Sequence, residues 1–214
     1  MQKTIDLVRS FILKLMRIFW ALKEEFFHFR EIREFNLKPY QLLWVNTDDI
    51  LMGKCKANKD CVDCFEDKFI QGGDWDSDLV NPLAHDVVRA SFEVSNNEKN
   101  WGDTGEYERM NELVNTHGVF DNCHSKSDIE SRYDKLDKMI SEVGSNNYIQ
   151  SKKMLSRFNF RELGGIEVAI GRNGQIVKVG DGQHRLGILL GLGIKTIPVC
   201  VILVHSDYHK VKVI

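Results

Sequence analysis

The chain reads as α/β of the α+β kind: a small mixed sheet with a helical elaboration in front of it. Three observations predict this. Apolar residues recur at three and four over the first two-thirds, the period shortens to that of strands after Gly165, and a glycine-rich turn then leads from a strand into a helix. At 214 residues the chain exceeds a common single domain only modestly, so one domain with an appendage is expected: an amphipathic helix over 1–35 and a domain over 36–214. Within that domain, 36–150 reads as helices and loops, and 151–214 as the core that carries the site.

The N-terminal segment from Ile5 to Phe35 lacks Gly and Pro and places Val8, Phe11, Ile12, Leu15, Met16, Phe19, Leu22 and Phe26 at helical spacing. Lys3, Arg9, Lys14, Arg17 and Lys23 make its early part cationic. The same charges interrupt any apolar run long enough to cross a bilayer, and no secretory cleavage pattern follows. Two readings stay open: a helix lying on an anionic membrane surface, or one packed on its own domain or a partner subunit of a homo-oligomer.

Further along, Asp103 to His117 has helical spacing ended by Gly118. A second helix is expected over Asp128–Val143, with Ser127 and Glu130 as its capping box and Gly144 as its stop. Glu167–Ile170 and Gln175–Val179 are β-prone runs around Gly171-Arg172-Asn173-Gly174, which predicts a hairpin. Leu186–Leu192 reads as a buried helix ended by Gly193. Thr196–His205 reads as a strand, with the histidines up to His209 finishing a sheet edge or approaching the site.

A strand followed by Gly180-Asp181-Gly182 and a helix start offers unpaired backbone N–H groups to phosphate oxygens. Asp181 could hold Mg²⁺ or take a proton, His184 could meet phosphate or move a proton, and Arg185 could neutralise charge. A tight turn with a solvated helix cap explains the same residues equally well. Glu167 is a candidate base if its strand turns it toward Asp181. Asp74, Trp75 and Asp76 could bind a sugar hydroxyl, stack on a base or form an ordinary turn. Cys55, Cys61 and Cys64, with Cys123 or His124, admit a zinc reading, but the absence of a second close pair favours free thiols. Five cysteines and a self-sufficient core fit a reducing cytoplasm.

The run Val179-Gly180-Asp181-Gly182-Gln183-His184-Arg185-Leu186-Gly187-Ile188, followed by Leu192-Gly193-Ile194-Lys195-Thr196-Ile197-Pro198-Val199, resembles the core signature of the ParB/sulfiredoxin superfamily. Its layout is similar to the Gly-Glu-Arg-Arg box of ParB proteins and the Gly-Cys-His-Arg box of sulfiredoxins. It comes closest to the Asp-Gly-His-x-Arg box of free-serine kinases, with Gln183 in place of their histidine. Gln183 also stands where sulfiredoxins have cysteine. More distantly, Gly73–Asp76, Trp101–Tyr107 and the Asp128 helix resemble uncharacterised ParB-like proteins associated with surface-polysaccharide genes.

The resemblance implies ATP or CTP bound with Mg²⁺ through Gly180, Asp181, Gly182, Gln183, His184 and Arg185, with Asp181 as the metal ligand. It implies an ATP-dependent phosphotransferase acting on a small-molecule or glycan-related substrate, with a CTP- or ATP-responsive switch as the alternative. A net charge of -2 and the absence of a following helix-turn-helix argue against nucleic acid.

Overall fold

The computed structural model describes residues 2–53 and 68–208. They fold as mixed α/β, in two compact units. One is built from Met1–Pro82, Gln150–Gly182 and Pro198–Ile214, the other from Leu83–Ile149 and Gln183–Ile197. The division falls inside the segment expected to be one core, between Gly182 and Gln183.

The first unit holds an open mixed sheet. Its strands are β1 (Gln41–Asn46), β2 (Ile50–Gly53), β3 (Ile70–Gln71), β4 (Leu79–Val80), β5 (Ile166–Ile170), β6 (Ile176–Lys178) and β7 (Thr196–His205), in the order β1-β7-β5-β6-β2-β4 with β3 also on β7. β5 and β6 are antiparallel, whereas β5 and β7 are parallel, from Ile166 beside Val199 to Ile170 beside Val204. β7 is therefore interior, which corrects the edge reading. Its near-continuous apolar run, Ile197–Val204, suits a strand buried on both faces. Pro198 precedes the first residue of β7 paired with β5, so its missing N–H costs that ladder nothing.

The hairpin joins β5 and β6 as expected. Gly171 accepts from Gly174 N–H and donates to Gln175 O, and only Gly174 of the turn has positive φ, at 82°. That is a type I turn closed by a glycine bulge.

Helix α1 (Gln2–Phe27) and helix α2 (Phe29–Phe35) replace the single expected helix, with a break at His28 across which His28 N–H still bonds Glu24 O. Asn36, at φ 56°, ends α2 in the left-handed region. α1 packs through Ala21, which joins Tyr40, Leu163 and Cys200 in one apolar cluster. A short helix α6 (Lys152–Leu155) is capped by Ser151, whose side chain accepts from Met154 N–H.

The second unit is helical: α3 (Asp86–Ser95), α4 (Glu106–His117), α5 (Lys126–Asn146) and α7 (Gln183–Gly191). The cap of α5 is Ser125, two residues before the expected Ser127. Ser125 accepts from Asp128 N–H while the Asp128 carboxylate accepts from His124 N–H and the Ser125 hydroxyl, so Asp128 closes the box expected from Glu130. Gly144 lies within α5, whose C-cap is Asn147 in the left-handed region. Trp101, Met110, Ile129 and Tyr133 fill this unit's core.

α7 packs on α3 through Gly187 and Gly191. A Cβ on Gly187 would sit 2.2 Å from Val88 O, and one on Gly191 would sit 2.1 Å from the Ser95 hydroxyl. Four-residue spacing puts both glycines on one helix face, so the two backbones approach closely.

Candidate functional site

In the first unit, Glu167 and Asp181 come together. Glu167 lies at the second position of β5, and its N–H and C=O bond Asp181 O and Val179 N–H at 3.0 and 3.1 Å. The loop after β6 is thereby wrapped against β5. Glycine is required for this: a Cβ on Gly182 (φ 99°) would sit 2.8 Å from Ile166 Cα, and one on Gly180 (φ 27°) would sit 1.9 Å from Glu167 Oε2. The buried Lys178 ammonium donates to Val179 O and Gly180 O and fixes the loop from below.

Glu167 is 6% exposed, and its Oε2 accepts the Asp181 N–H at 2.7 Å. This amide was expected to face an external anion; it is engaged by the protein's own carboxylate instead. Burial raises the proton affinity of Glu167, and the nearby Asp181 charge adds to that, against the opposing Asp181 N–H bond and the Arg17 and Lys178 cations. Arg17 reaches in from α1. Its guanidinium donates to Asp181 Oδ2 at 3.1 Å and lies 3.8 Å from Glu167 Oε1, while the Asp181 side chain remains 65% exposed. Although burial disfavours its charge, Glu167 and Asp181 hold the guanidinium above its ordinary proton affinity. The result is an exposed carboxylate and a cation set over a buried carboxyl whose proton affinity is raised.

His184, Gln183 and Arg185 belong to the first turn of α7 in the second unit. His184 is buried, and its Nδ1 lies 3.0 Å from the Ser91 hydroxyl. Ser91 spends its only proton on Val87 O, so the His184 proton resides on Nδ1. Nε2 has no hydrogen-bond partner among the described residues and stands 4.0 Å from Glu106 Oε2. Burial, aided by Arg132 and Arg109 against the attraction of Glu106, pushes the ring down to about 4, so it is neutral near pH 7.

Glu106 itself is nearly fully buried, and desolvation would raise its proton affinity. The bidentate Arg109 bonds at 2.8 and 2.9 Å and the Tyr133 hydroxyl at 3.1 Å outweigh that and hold it below the usual range. These partners went unread because their only local signal is the Glu106-x-x-Arg109 spacing. Arg17 carried a different one: it stands on the face of α1 opposite the apolar stripe.

The Asp74-Trp75-Asp76 loop is tied to Arg172. That guanidinium donates to Asp74 Oδ1 at 2.9 Å, to Asp76 Oδ1 at 2.8 Å and to Gly73 O at 2.8 Å, and Arg172 N–H adds a bond to Asp76 Oδ2 at 2.6 Å. Asp76 is buried. Desolvation is overcome by Arg172, which holds its carboxyl below the ordinary range. Trp75 donates to Gln71 O, packs against the cluster of Ala169, Val177, Val179 and Leu203, and lies beside the His205 ring. His205 accepts Asp207 N–H at Nδ1, so Nε2 carries the proton donated to Gly73 O at 2.8 Å. The loop is thus internally bonded, and Asp74, with 86% of its side chain exposed, is its most accessible carboxylate.

Cys55, Cys61, Cys64 and His209 lie outside the described residues, while Cys123 and Cys200 are buried free thiols. Among the described residues no group of three or more His, Cys, Asp and Glu is arranged to hold a metal ion. No described helix is long and apolar enough to cross a membrane. Comparison with protein-family models, with curated proteins and with solved structures finds no match.

Proposed function

We propose that this chain is a nucleotide-binding protein of the ParB/sulfiredoxin kind that transfers a phosphoryl group from ATP to a hydroxyl of a small-molecule or glycan-related acceptor. One observation supports it above the others: Asp181 and Arg17 meet at 3.1 Å on a glycine-bounded loop, over the buried Glu167. Phosphoryl transfer asks the protein mainly for positioning and charge stabilisation, and these groups supply both.

In this reading Arg17 exchanges Asp181 for phosphate oxygens and neutralises their charge. The acceptor oxygen attacks the terminal phosphorus, the bond to the bridging oxygen breaks, and its electron pair leaves on ADP. The acceptor proton passes to Glu167 Oε1, the oxygen not engaged by the Asp181 amide. A single exposed carboxylate suits Mg²⁺, which binds through one or two carboxylates together with substrate phosphates, and Asp181 would hold it. The ion would supply charge neutralisation. His184 stays outside this chemistry, as a buried residue positioning α7 on Ser91.

A second reading, a non-catalytic switch responding to CTP or ATP, draws support from Arg17, which ties the loop to α1. Thermal-shift titration with ATP, ADP, CTP and GTP, with and without Mg²⁺, tests both. A ligand at a hundred times its dissociation constant stabilises the folded state by about 2.7 kcal/mol. The shift is expected for the native chain and lost in Arg17→Gln and Asp181→Asn. ADP release with an acceptor separates enzyme from switch, and indifference to every nucleotide rejects both.

A further inference from the structure

α1 carries a second feature, on the face opposite Arg17. Its inward face is marked by the buried Ala21 and Glu24, the latter accepting Phe69 N–H at 2.9 Å. On the opposite face Val8, Ile12, Leu15, Phe19, Leu22 and Phe26 form a stripe spaced alternately by four and three residues. All are exposed, Phe19 by 73% and Phe26 by 80%. Phe11 and Met16 widen the stripe, and both are 62% exposed. A 26-residue helix is about 40 Å long, so this continuous apolar surface is larger than a scatter of single exposed residues.

Charge decides what covers it. At 100° per residue, Arg9 and Lys23 fall on one border of the stripe, and both are exposed. Glu25, the acid nearest a border, is already paired with Arg161. Two copies laid antiparallel about the middle of the stripe would bring Arg9 of one helix to Lys23 of the other, a like-charge contact. Paired helices instead specify one another through complementary border charges. A wide apolar face with phenylalanines, edged by exposed cations, fits a bilayer interface with anionic headgroups.

We infer that α1 docks the protein flat on an anionic membrane surface, with the Phe19–Phe26 face entering the headgroup boundary and Arg9 and Lys23 meeting lipid phosphates or carboxylates.

The test is co-sedimentation of the full chain, without nucleotide, with vesicles of phosphatidylcholine alone or mixed with phosphatidylserine. Binding is expected on the mixed vesicles and is expected to weaken with salt. Arg9→Gln and Lys23→Gln should each weaken it roughly fivefold. Phe19→Asp, at an exposed position, should weaken it by more than about tenfold while circular dichroism and the thermal midpoint stay unchanged. Protein left in the supernatant with both vesicle types overturns the inference, as does binding indifferent to Phe19→Asp. A concentration-dependent dimer that Phe19→Asp dissolves, without vesicle binding, assigns the face to a second copy and also overturns it.

Discussion

Each unit buries a glutamate beside an arginine, and the two glutamates behave oppositely. Glu106 receives two bonds from Arg109 and one from Tyr133, and these outweigh desolvation, so it is held as a carboxylate. Glu167 receives one backbone N–H, and its arginine stands 3.8 Å away and is shared with Asp181, so desolvation prevails and it retains its proton more readily. Burial alone therefore does not decide charge; the number and closeness of donors do. The satisfied glutamate belongs to internal architecture, whereas the under-satisfied one sits below an exposed carboxylate.

The largest expected effect lies in the second unit, whose helix pair leaves no room for a side chain at Gly187. Gly187→Ala would overlap Val88 O and Ser91 Cβ and should cost on the order of 4 kcal/mol in denaturant unfolding. Next, Arg109→Met strands the Glu106 carboxylate and should cost on the order of 3 kcal/mol. Arg17→Met, at a more exposed pair, should cost less than about 1 kcal/mol. Equal losses for the two would erase the contrast.

Gly180→Ala should cost about 2 kcal/mol, because its Cβ meets the Glu167 side chain. Adding Glu167→Ala should recover part of that loss, whereas Gly182→Ala, which meets the Ile166 backbone, should not be rescued.

The smallest effect is the pH dependence. Glu106 has a lowered folded value, so its contribution is present above its ordinary 4.5 and is lost as pH falls through the folded value. Glu167 has a raised folded value, so its contribution is present below 4.5 and is lost as pH rises through the folded value. Relative to the native chain, Glu106→Gln should therefore look worst at neutral pH, and Glu167→Gln should improve as pH rises above 4.5. Difference curves of the same sign would contradict the opposite shifts of the two carboxyls.

Local signals were legible in the sequence. The Asn173-Gly174 turn and the apolar run of β7 specify their own backbone, and both were readable without tertiary context. Cap choice was less so, since Ser125 and Ser127 both precede acids at the right spacing, and the one whose side chain meets Asp128 N–H prevails. Long-range partners left little trace. Arg17 and Asp181 are 164 residues apart, and Glu106 gives no local sign that it will face His184. Gly187 and Gly191 look like helix weakeners until α3 is seen against them. The Gly180-Asp181-Gly182 turn looks in sequence like backbone N–H groups open to phosphate, yet the nearest group to Gly180 is the side chain of Glu167.

Arg17 gives α1 leverage over the loop. A residue on the inner side of a surface helix contributes the cation that leans on Asp181, so anything pressing or lifting that helix changes how strongly the loop attracts negative charge. If the two proposals above hold, reciprocity has an anion that claims the guanidinium alter how firmly α1 adheres to the surface it rests on. Surface attachment and loop occupancy would share one arginine as their common currency, and neither could be tuned without shifting the other.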